Sequence, residues 1–455
     1  MTISQKNPTT ARQQAVVILQ KIYKDGSYAN LQIMHSLESL SDKDRRFVTE
    51  LVYGTLRRQN ALDYILNQLL KKTVADLPLL IAIILRISLY QLLYLKKIPP
   101  SAVVNEAVKL ARRYGHRGTA SLTNGVLRSY LRRQSHYRLP SRENVKQYLT
   151  ITESHPAWLV DYLLDIFGEE ATVSFCEYNN RAHEVIIRCN TLKIERSVLM
   201  NRLQQAGFEV RSGEFAPEAI RVLRSAGLFE SELFANGLFQ AQDQTSMLVS
   251  HVLQPSPTAK VLDLCAAPGG KTSHLAQLMN DQGEIRAFDL YEHRINLIDE
   301  NCRRLGIKSV QTQALDARCL PDQFSGWADY LLLDAPCSGL GILGRRADAR
   351  WQKSYDNILE MAQLSRSILL KAADYLTAGG VMVFSTCTVS KEENQETVEW
   401  FLKKRPDFSL MPFAELLPPT LPPILLEEAQ TGMVQIMPHH ADLEGFFISR
   451  LYKKK

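Results

Sequence analysis

The chain has 455 residues, 45% of them hydrophobic and 22% charged. This ordinary globular composition excludes a disordered or fibrous protein, and at about 150 residues per domain the chain has room for three domains without disulfide or metal staples. Its seven cysteines, odd in number and without CxxC spacing, fit a reducing compartment better than a disulfide framework or a zinc site.

The N-terminus, MTISQKNPTTARQQ, lacks a basic start followed by an apolar core, so no export is expected. The longest apolar run, Leu77 to Leu85, contains Pro78 and is far shorter than the roughly 20 residues that cross a bilayer. A cytoplasmic protein without a membrane span is expected.

The net charge of +6 is unevenly placed: residues 1–140 carry 22 basic and 8 acidic residues, and the remainder 32 and 40. The basic residues cluster as Arg45-Arg46, Arg57-Arg58, Lys71-Lys72, Lys96-Lys97, Arg112-Arg113 and Arg132-Arg133. Such a distribution suits a surface that follows a phosphate backbone, although any single pair reads as readily as a solvated helix face.

From Ala11 to Arg133 apolar residues recur at helical spacing, as in Val16, Leu19 and Ile22 or Leu62, Ile65 and Leu69, which predicts an all-helical bundle. Ser41-Asp42 precedes an expected helix over Arg45–Arg57, and Pro99-Pro100-Ser101 precedes one over Val103–Tyr114 that Gly115 ends. The polar stretch Gln134 to Asn144, with Pro140, marks the first boundary, giving a domain over 1–140. From Pro156 to about Asn236 helices alternate with short strand candidates, Glu184–Cys189, Phe208–Arg211 and Ala219–Val222. These predict a small α/β module over 141–238.

Over 239–455 apolar strand candidates, Val261–Leu264, Glu284–Phe288, Val310–Gln313, Tyr330–Leu333 and Val381–Ser385, are separated by helical patterns. That is the signature of a parallel, doubly wound sheet. Met433–Met437 and Phe446–Leu451 follow without room for a crossover helix, so an antiparallel edge is expected.

The strand over Val261–Leu264 runs into Cys265-Ala266-Ala267-Pro268-Gly269-Gly270-Lys271 and then a helix beginning near Thr272. Small residues there let backbone N–H groups approach a ligand at a helix N-terminus. Asp289 ends the next strand, where a carboxylate can accept hydrogen bonds from both ribose hydroxyls of a nucleoside cofactor. Asp316 follows the strand after that, on the side of an adenine edge. A glycine-rich turn alone is weak, but acids at the next two strand ends make one crevice.

Two cysteines lie at neighbouring strand ends, Cys337 after Asp334-Ala335-Pro336 and Cys387 between Thr386 and Thr388. A free cysteine is usually a small buried hydrophobe; this pair shares its rim with Asp334 and Lys271. Carbon 5 of cytosine accepts a methyl group once a thiolate has added to carbon 6, and the carbon-5 proton must then leave. One cysteine can attack while the other assists release. Asp334 suits the ring density pushed toward N3, and Lys271 can neutralise local negative charge. Because a free thiol is only a few per cent thiolate at neutral pH, the site must also favour the anion.

These segments resemble the RNA cytosine-C5 methyltransferases of the Nol/Nop/Sun group over most of the chain: LDLCAAPGGKT, FDLYEHR, LDAR, LLLDAPCSGLG and FSTCTVSKEEN, with RCNTLK, QDQTSM and PHHADLEGFF as further landmarks. The helical segment, with SDKDRRFVTELVYGTLRR and VNEAVKLARR, is similar to the NusB antitermination fold. The resemblance implies a Rossmann-like class I methyltransferase domain, preceded by a small RRM-like α/β module and a NusB-like bundle. It implies S-adenosylmethionine as cofactor, held by Cys265, Ala266, Ala267, Pro268, Gly269, Gly270, Lys271, Asp289, Asp316 and Asp334.

By the same resemblance Cys387 is the nucleophile and Cys337 the release cysteine, with Asp334 and Lys271 in catalytic roles. The substrate implied is one unstacked cytosine in a loop or single-stranded segment of 16S ribosomal RNA, and a monomer is expected. Thr388 stands where the family usually has serine, and Ala347, in a loop expected to bear on RNA recognition, where it often has proline.

The main competing reading is a P-loop ATPase, since Gly270-Lys271-Thr272 matches the end of that motif. The first glycine of the motif is missing, and Pro268 removes an N–H that phosphate would need. A non-catalytic RNA-binding factor would not need both cysteines. No metal is expected, because His439 and His440 alone make a poor ligand set and read as loop residues.

Overall fold

The computed structural model describes residues 10–36 and 40–455, so the N-terminal nonapeptide in the expectation about export lies outside it. The chain forms two compact units, one comprising residues up to Arg181 together with Leu343–Ser354, the other Ala182–Ile342 with Tyr355–Lys455.

The first unit is all-helical. Helices Ala11–Asp25, Ala29–Ser36, Asp42–Arg57, Gln59–Leu69, Leu79–Tyr94, Pro100–Tyr114 and Arg117–Arg132 follow one another in chain order. Ser41 caps the third by accepting from the Asp44 N–H at 3.2 Å, so that helix starts at Asp42, three residues before the predicted Arg45. The Leu79–Tyr94 helix is buried on nearly every side, from Ile81 through Gln91. Its composition, apolar all round, is that of a central helix. Among the described residues no helix is long and apolar enough to cross a membrane.

The compact unit runs on past the polar stretch Gln134–Asn144 to Arg181. Asn60 accepts the chain back: its N–H donates to Ser154 Oγ at 2.8 Å and its amide to the Thr150 carbonyl at 2.9 Å. Arg58 donates to the Thr152 carbonyl and pairs with Glu153 at 3.3 Å. The segment therefore continues through the helical stretch Ala157–Tyr178, broken at Gly168.

Residues 343–354 complete this unit. Ala347 lies in a turn, with its side chain fully buried in the helical core. Arg350, fully buried, donates to the carbonyls of Ser154 and Asn179 and to Asn180 Oδ1, all within 3.2 Å. Asp348 accepts the Ala29 N–H at 3.1 Å, and Trp351 donates its indole N–H to the Leu56 carbonyl at 2.9 Å.

The second unit contains two sheets. Strands β1 (Val185–Cys189), β2 (Val210–Ser212), β3 (Ala219–Val222) and β4 (Phe239–Ala241) form an antiparallel sheet in the order β2-β3-β1-β4. The larger sheet uses β5 (Lys260–Leu264), β6 (Glu284–Asp289), β7 (Val310–Ala314), β8 (Ala328–Asp334), β9 (Leu376–Thr386), β10 (Phe408–Leu410), β11 (Met433–Ile436) and β12 (Phe446–Lys453), in the order β10-β12-β9-β8-β5-β6-β7 with β11 on β12.

Strands β5 to β9 pair in parallel, and β10, β11 and β12 are antiparallel. The sheet is therefore mixed, as the missing crossover helix predicts. The order reverses at β5, whose neighbours are β6 and β8, and such a switch point opens a crevice at the carboxyl ends of the strands. The inner strands are apolar and buried on both faces, Leu262, Leu264, Leu331, Leu332 and Leu333 all at 0% exposure, which is what a covered parallel sheet requires.

Candidate active site

At the carboxyl end of β5 the chain turns on Cys265 (φ +63°) and Gly269 (φ +90°). A Cβ on Gly269 would lie 3.0 Å from Ile298 Cγ2 and 3.2 Å from Ile298 Cα, so only glycine fits both the space and the left-handed backbone. The following helix begins at Gly270, two residues before the predicted start. Its end is held by the small sheet: Arg188 of β1, fully buried, donates to the Gly270 carbonyl at 2.6 Å and to Ser273 Oγ at 2.9 Å.

A cavity of about 380 Å³ opens over these strand ends. Cys265, Ala267, Asp289, Asp316, Asp334, Cys337 and Cys387 all line it. Ala266, Pro268, Gly269, Gly270 and Lys271 do not; they form the turn and helix start behind it. Asp289 Oδ2 accepts the Ala267 N–H at 3.1 Å, while Oδ1 lies 3.0 Å from Arg294 Nη1. Asp316 is tied to Arg318 at 2.6 Å, and that hydrogen bond holds its carboxyl below the usual range.

Asp334 is fixed from two sides. Its Oδ2 pairs with Lys271 Nζ at 2.6 Å and its Oδ1 accepts from Ser385 Oγ at 2.8 Å. Burial, the largest single effect, would lower the Lys271 ammonium, but the charge and hydrogen bond of Asp334, with Cys387 and Asp263, together outweigh it and the net shift is upward. Lys271 thus stays charged, close enough to Cys387 to interact with it electrostatically.

The sulfurs of Cys337 and Cys387 are 3.4 Å apart. The hydrogen bond to Cys387, and then burial, push the Cys337 thiol well above its ordinary range. Beneath this pair lies a buried carboxylate that sequence reasoning missed. Glu393 accepts the Ser338 N–H at 2.6 Å and the Ser338 hydroxyl at 2.5 Å, and bonds the Ser390 hydroxyl. The available signal was a hydroxyl residue directly after each cysteine, Ser338 and Thr388.

Arg188, in RCNTLK, was also unassigned in the sequence, as was the neighbouring cluster of Glu218, His251 and His274. Glu218 lies 3.0 Å from His251 Nε2 and 2.6 Å from His274 Nε2. Burial and the charge of Arg188 push His274 down to about 4, against the Glu218 carboxylate, which pulls it up. His439 and His440 lie in a helical turn, Pro438–Ala441, rather than a loop, and His440 Nδ1 accepts the Met437 N–H at 3.3 Å.

A mixed Rossmann-like sheet with a glycine turn, strand-end acids and paired cysteines defines a methyltransferase-type domain. Family models match the chain in three parts: "16S rRNA methyltransferase RsmB/F" over residues 250–452, "NusB family" over 9–132, and a "Methyltr_RsmF/B-like, ferredoxin-like domain" over 155–227.

The "Probable ribosomal RNA small subunit methyltransferase B" of Bacillus subtilis (strain 168) is 37% identical, with 98% of this chain and 99% of that protein covered. The "Ribosomal RNA small subunit methyltransferase B" of Klebsiella pneumoniae (strain 342) is 31% identical over 99% of this chain and 100% of its own. The chain belongs to the ribosomal RNA small subunit methyltransferase B family.

Among solved structures, that of PH0851 aligns with a TM-score of 0.80 at 29% identity over the whole of both chains. NSun6 from Pyrococcus horikoshii, solved with SFG, aligns with a TM-score of 0.59 at 27% identity, covering 67% of this chain and 100% of its own.

Proposed function

We propose that the chain transfers a methyl group from S-adenosylmethionine to carbon 5 of one cytosine in 16S ribosomal RNA, through a transient bond between Cys387 and carbon 6 of the base. The observation that carries this reading is the pair of thiols 3.4 Å apart on the rim of the cavity that also holds Asp334.

The cavity fits a nucleoside cofactor. Asp289 Oδ1 is buried and accepts no hydrogen bond, although Arg294 pairs with its charge. That orphaned acceptor suits a ribose hydroxyl, with Asp316 farther along the same rim. S-adenosylmethionine supplies an electrophilic methyl group on sulfur.

In the resting pair the protonated Cys337 can donate to Cys387, which favours the anion on Cys387. The Cys387 thiolate forms a bond to carbon 6, and the ring electron pair gathers at carbon 5 and toward N3. A proton passed from Lys271 through Asp334 to N3 neutralises that density and returns by the same route when the ring double bond re-forms. Carbon 5 then takes the methyl group. Bonding has by now removed the hydrogen bond to Cys387, the first cause of the raised Cys337 thiol, so Cys337 can release its proton to water. Cys337 takes the proton from carbon 5, that electron pair re-forms the ring double bond, and the carbon 6–sulfur bond breaks.

The base must be unstacked for a thiol to reach its face. In this reading the enzyme acts as a cytoplasmic monomer, with the exposed basic pairs of the helical unit on the RNA backbone.

Incubation with labelled S-adenosylmethionine and unmodified 16S RNA tests this. Wild type is expected to form 5-methylcytosine, Cys387→Ala to form none, and Cys337→Ala to accumulate a covalent protein–RNA adduct on denaturing gels. Adducts with Cys387→Ala instead would exchange the two roles. No methylcytosine with wild type would overturn the reading.

A further inference from the structure

We propose that Glu393 is a positioning residue that holds the two cysteine loops in register, an inference that rests on the catalytic reading above. Glu393 precedes the Gln395–Lys404 helix, is fully buried and does not line the cavity. The regular pairing of β8 with β9 ends at Asp334 opposite Ser385, and the Ala335 N–H bonds the Ser385 carbonyl at 2.8 Å just beyond. Past that point the chain carries Cys337 on one side and Cys387 on the other.

Both cysteines are followed by a residue that reaches Glu393. Ser338 donates its backbone N–H and its hydroxyl to the two carboxylate oxygens. Thr388 Oγ1 is 2.7 Å from Ser338 Oγ and 3.4 Å from Glu393 Oε2. Ser390 bonds the same oxygen. With the carboxylate ionised every donor is used: Ser338 and Ser390 give their hydroxyl protons to Glu393, and Thr388 gives its own to Ser338. One buried acceptor thereby sets the positions of the residues next to both sulfurs.

A buried carboxylate is a costly way to build a loop, since burial pushes this one upward and uncharged replacements of buried ionic groups are often neutral in stability. A glutamine keeps the shape but turns an NH₂ group toward three hydroxyls, so the network must rotate and the two loops lose their common anchor. Displacement of reacting groups by about 1 Å is enough for large losses in rate.

The experiment reads the register directly. Diamide is added to the full-length protein, and the rate of the disulfide between Cys337 and Cys387 is followed by mass spectrometry in wild type, Glu393→Gln, Thr388→Val and Thr388→Ser. Diamide takes two electrons and two protons and is reduced to the hydrazine. Affinity for S-adenosylhomocysteine serves as the control for folding.

The Glu393→Gln and Thr388→Val rates are expected to fall by about tenfold or more at unchanged cofactor affinity, with Thr388→Ser close to wild type. Unchanged rates in both would overturn the proposal. If Glu393→Gln loses the control, Thr388→Val against Thr388→Ser decides.

The same substitutions in the Cys337→Ala background should slow adduct formation on RNA. Absence of an adduct in Cys337→Ala itself would sink the catalytic reading while the disulfide rates still decide the role of Glu393.

Discussion

Arg188 Nη1 donates to the carbonyl oxygen of Gly270 at 2.6 Å, so a side chain from the small antiparallel sheet holds the first residue of the helix behind the cavity. The same guanidinium reaches Gln242, Ser273 and Gln277. It joins two segments noticed in the sequence only as landmarks, RCNTLK and QDQTSM, to the cofactor turn.

Arg188→Ala leaves the Gly270 carbonyl, Ser273, Gln242 and Gln277 without their buried donor. Stability should fall by about 3–5 kcal/mol, the usual consequence of removing one partner from a buried charged network. Affinity for S-adenosylhomocysteine should weaken by about tenfold as the turn loosens, a change of about 1.4 kcal/mol. Thermal unfolding and isothermal titration check the two effects.

Asp263 should make stability depend on pH. Burial raises its carboxyl to about 7, against the Thr272 hydroxyl bond at 2.6 Å that opposes the shift. The folded chain then holds a proton that the unfolded chain has already released, so stability falls as pH rises from about 4 through about 7. At about 1.4 kcal/mol per pH unit the loss is on the order of 4 kcal/mol. Asp263→Asn should flatten this part of the curve, measured by thermal unfolding across that range; an unchanged slope would place the dependence elsewhere.

Arg350→Ala should destabilise the helical unit. The Ser154 and Asn179 carbonyls and the Asn180 side chain would be left buried without their donor, at about 1–3 kcal/mol for each unsatisfied group. Hydrogen exchange should show the loss first around Ser154 and Asn179, where protection depends on that guanidinium. Uniform loss across the strands of the larger sheet would contradict this assignment.

Five of the six basic pairs divide into two kinds, while in Arg45-Arg46 the first is half-buried and donates to the Leu40 carbonyl and the second is exposed. Arg57 and Arg58 are half-buried and spent on internal acceptors, the Gly344 and Thr152 carbonyls, whereas Lys71-Lys72, Lys96-Lys97, Arg112-Arg113 and Arg132-Arg133 are exposed. Replacing Arg112, Arg113, Arg132 and Arg133 together by alanine should weaken RNA binding. It should also lower the salt dependence of log K by about 0.7 for each phosphate of a single strand that is no longer neutralised. Filter binding at several salt concentrations measures it, and an unchanged slope would assign these residues another partner.

The larger sheet was legible because its inner strands are continuous apolar runs that end in chemically distinctive residues: Cys265, Asp289, Asp334 and Cys387 fall at strand ends in both sequence and structure. The three-residue strands Phe239–Ala241 and Phe408–Leu410 are too short to show a period of two, and they pair only because neighbours are already in place. Arg350 was illegible for a different reason. RRADARW has the composition of an exposed loop, and nothing local reveals that its acceptors lie about 170 to 200 positions earlier. Glu393 sits in a polar run, KEEN, whose burial depends entirely on the loops that close over it.

The excursion of residues 343–354 into the helical unit begins just six positions after Cys337. A recombination event that swapped or shed the N-terminal region as a cassette would strand Ala347 and Arg350 without a home, next door to a reactive thiol. Removing the N-terminal region would therefore require that stretch to be rebuilt, since Ala347 loses its core and Arg350 its acceptors.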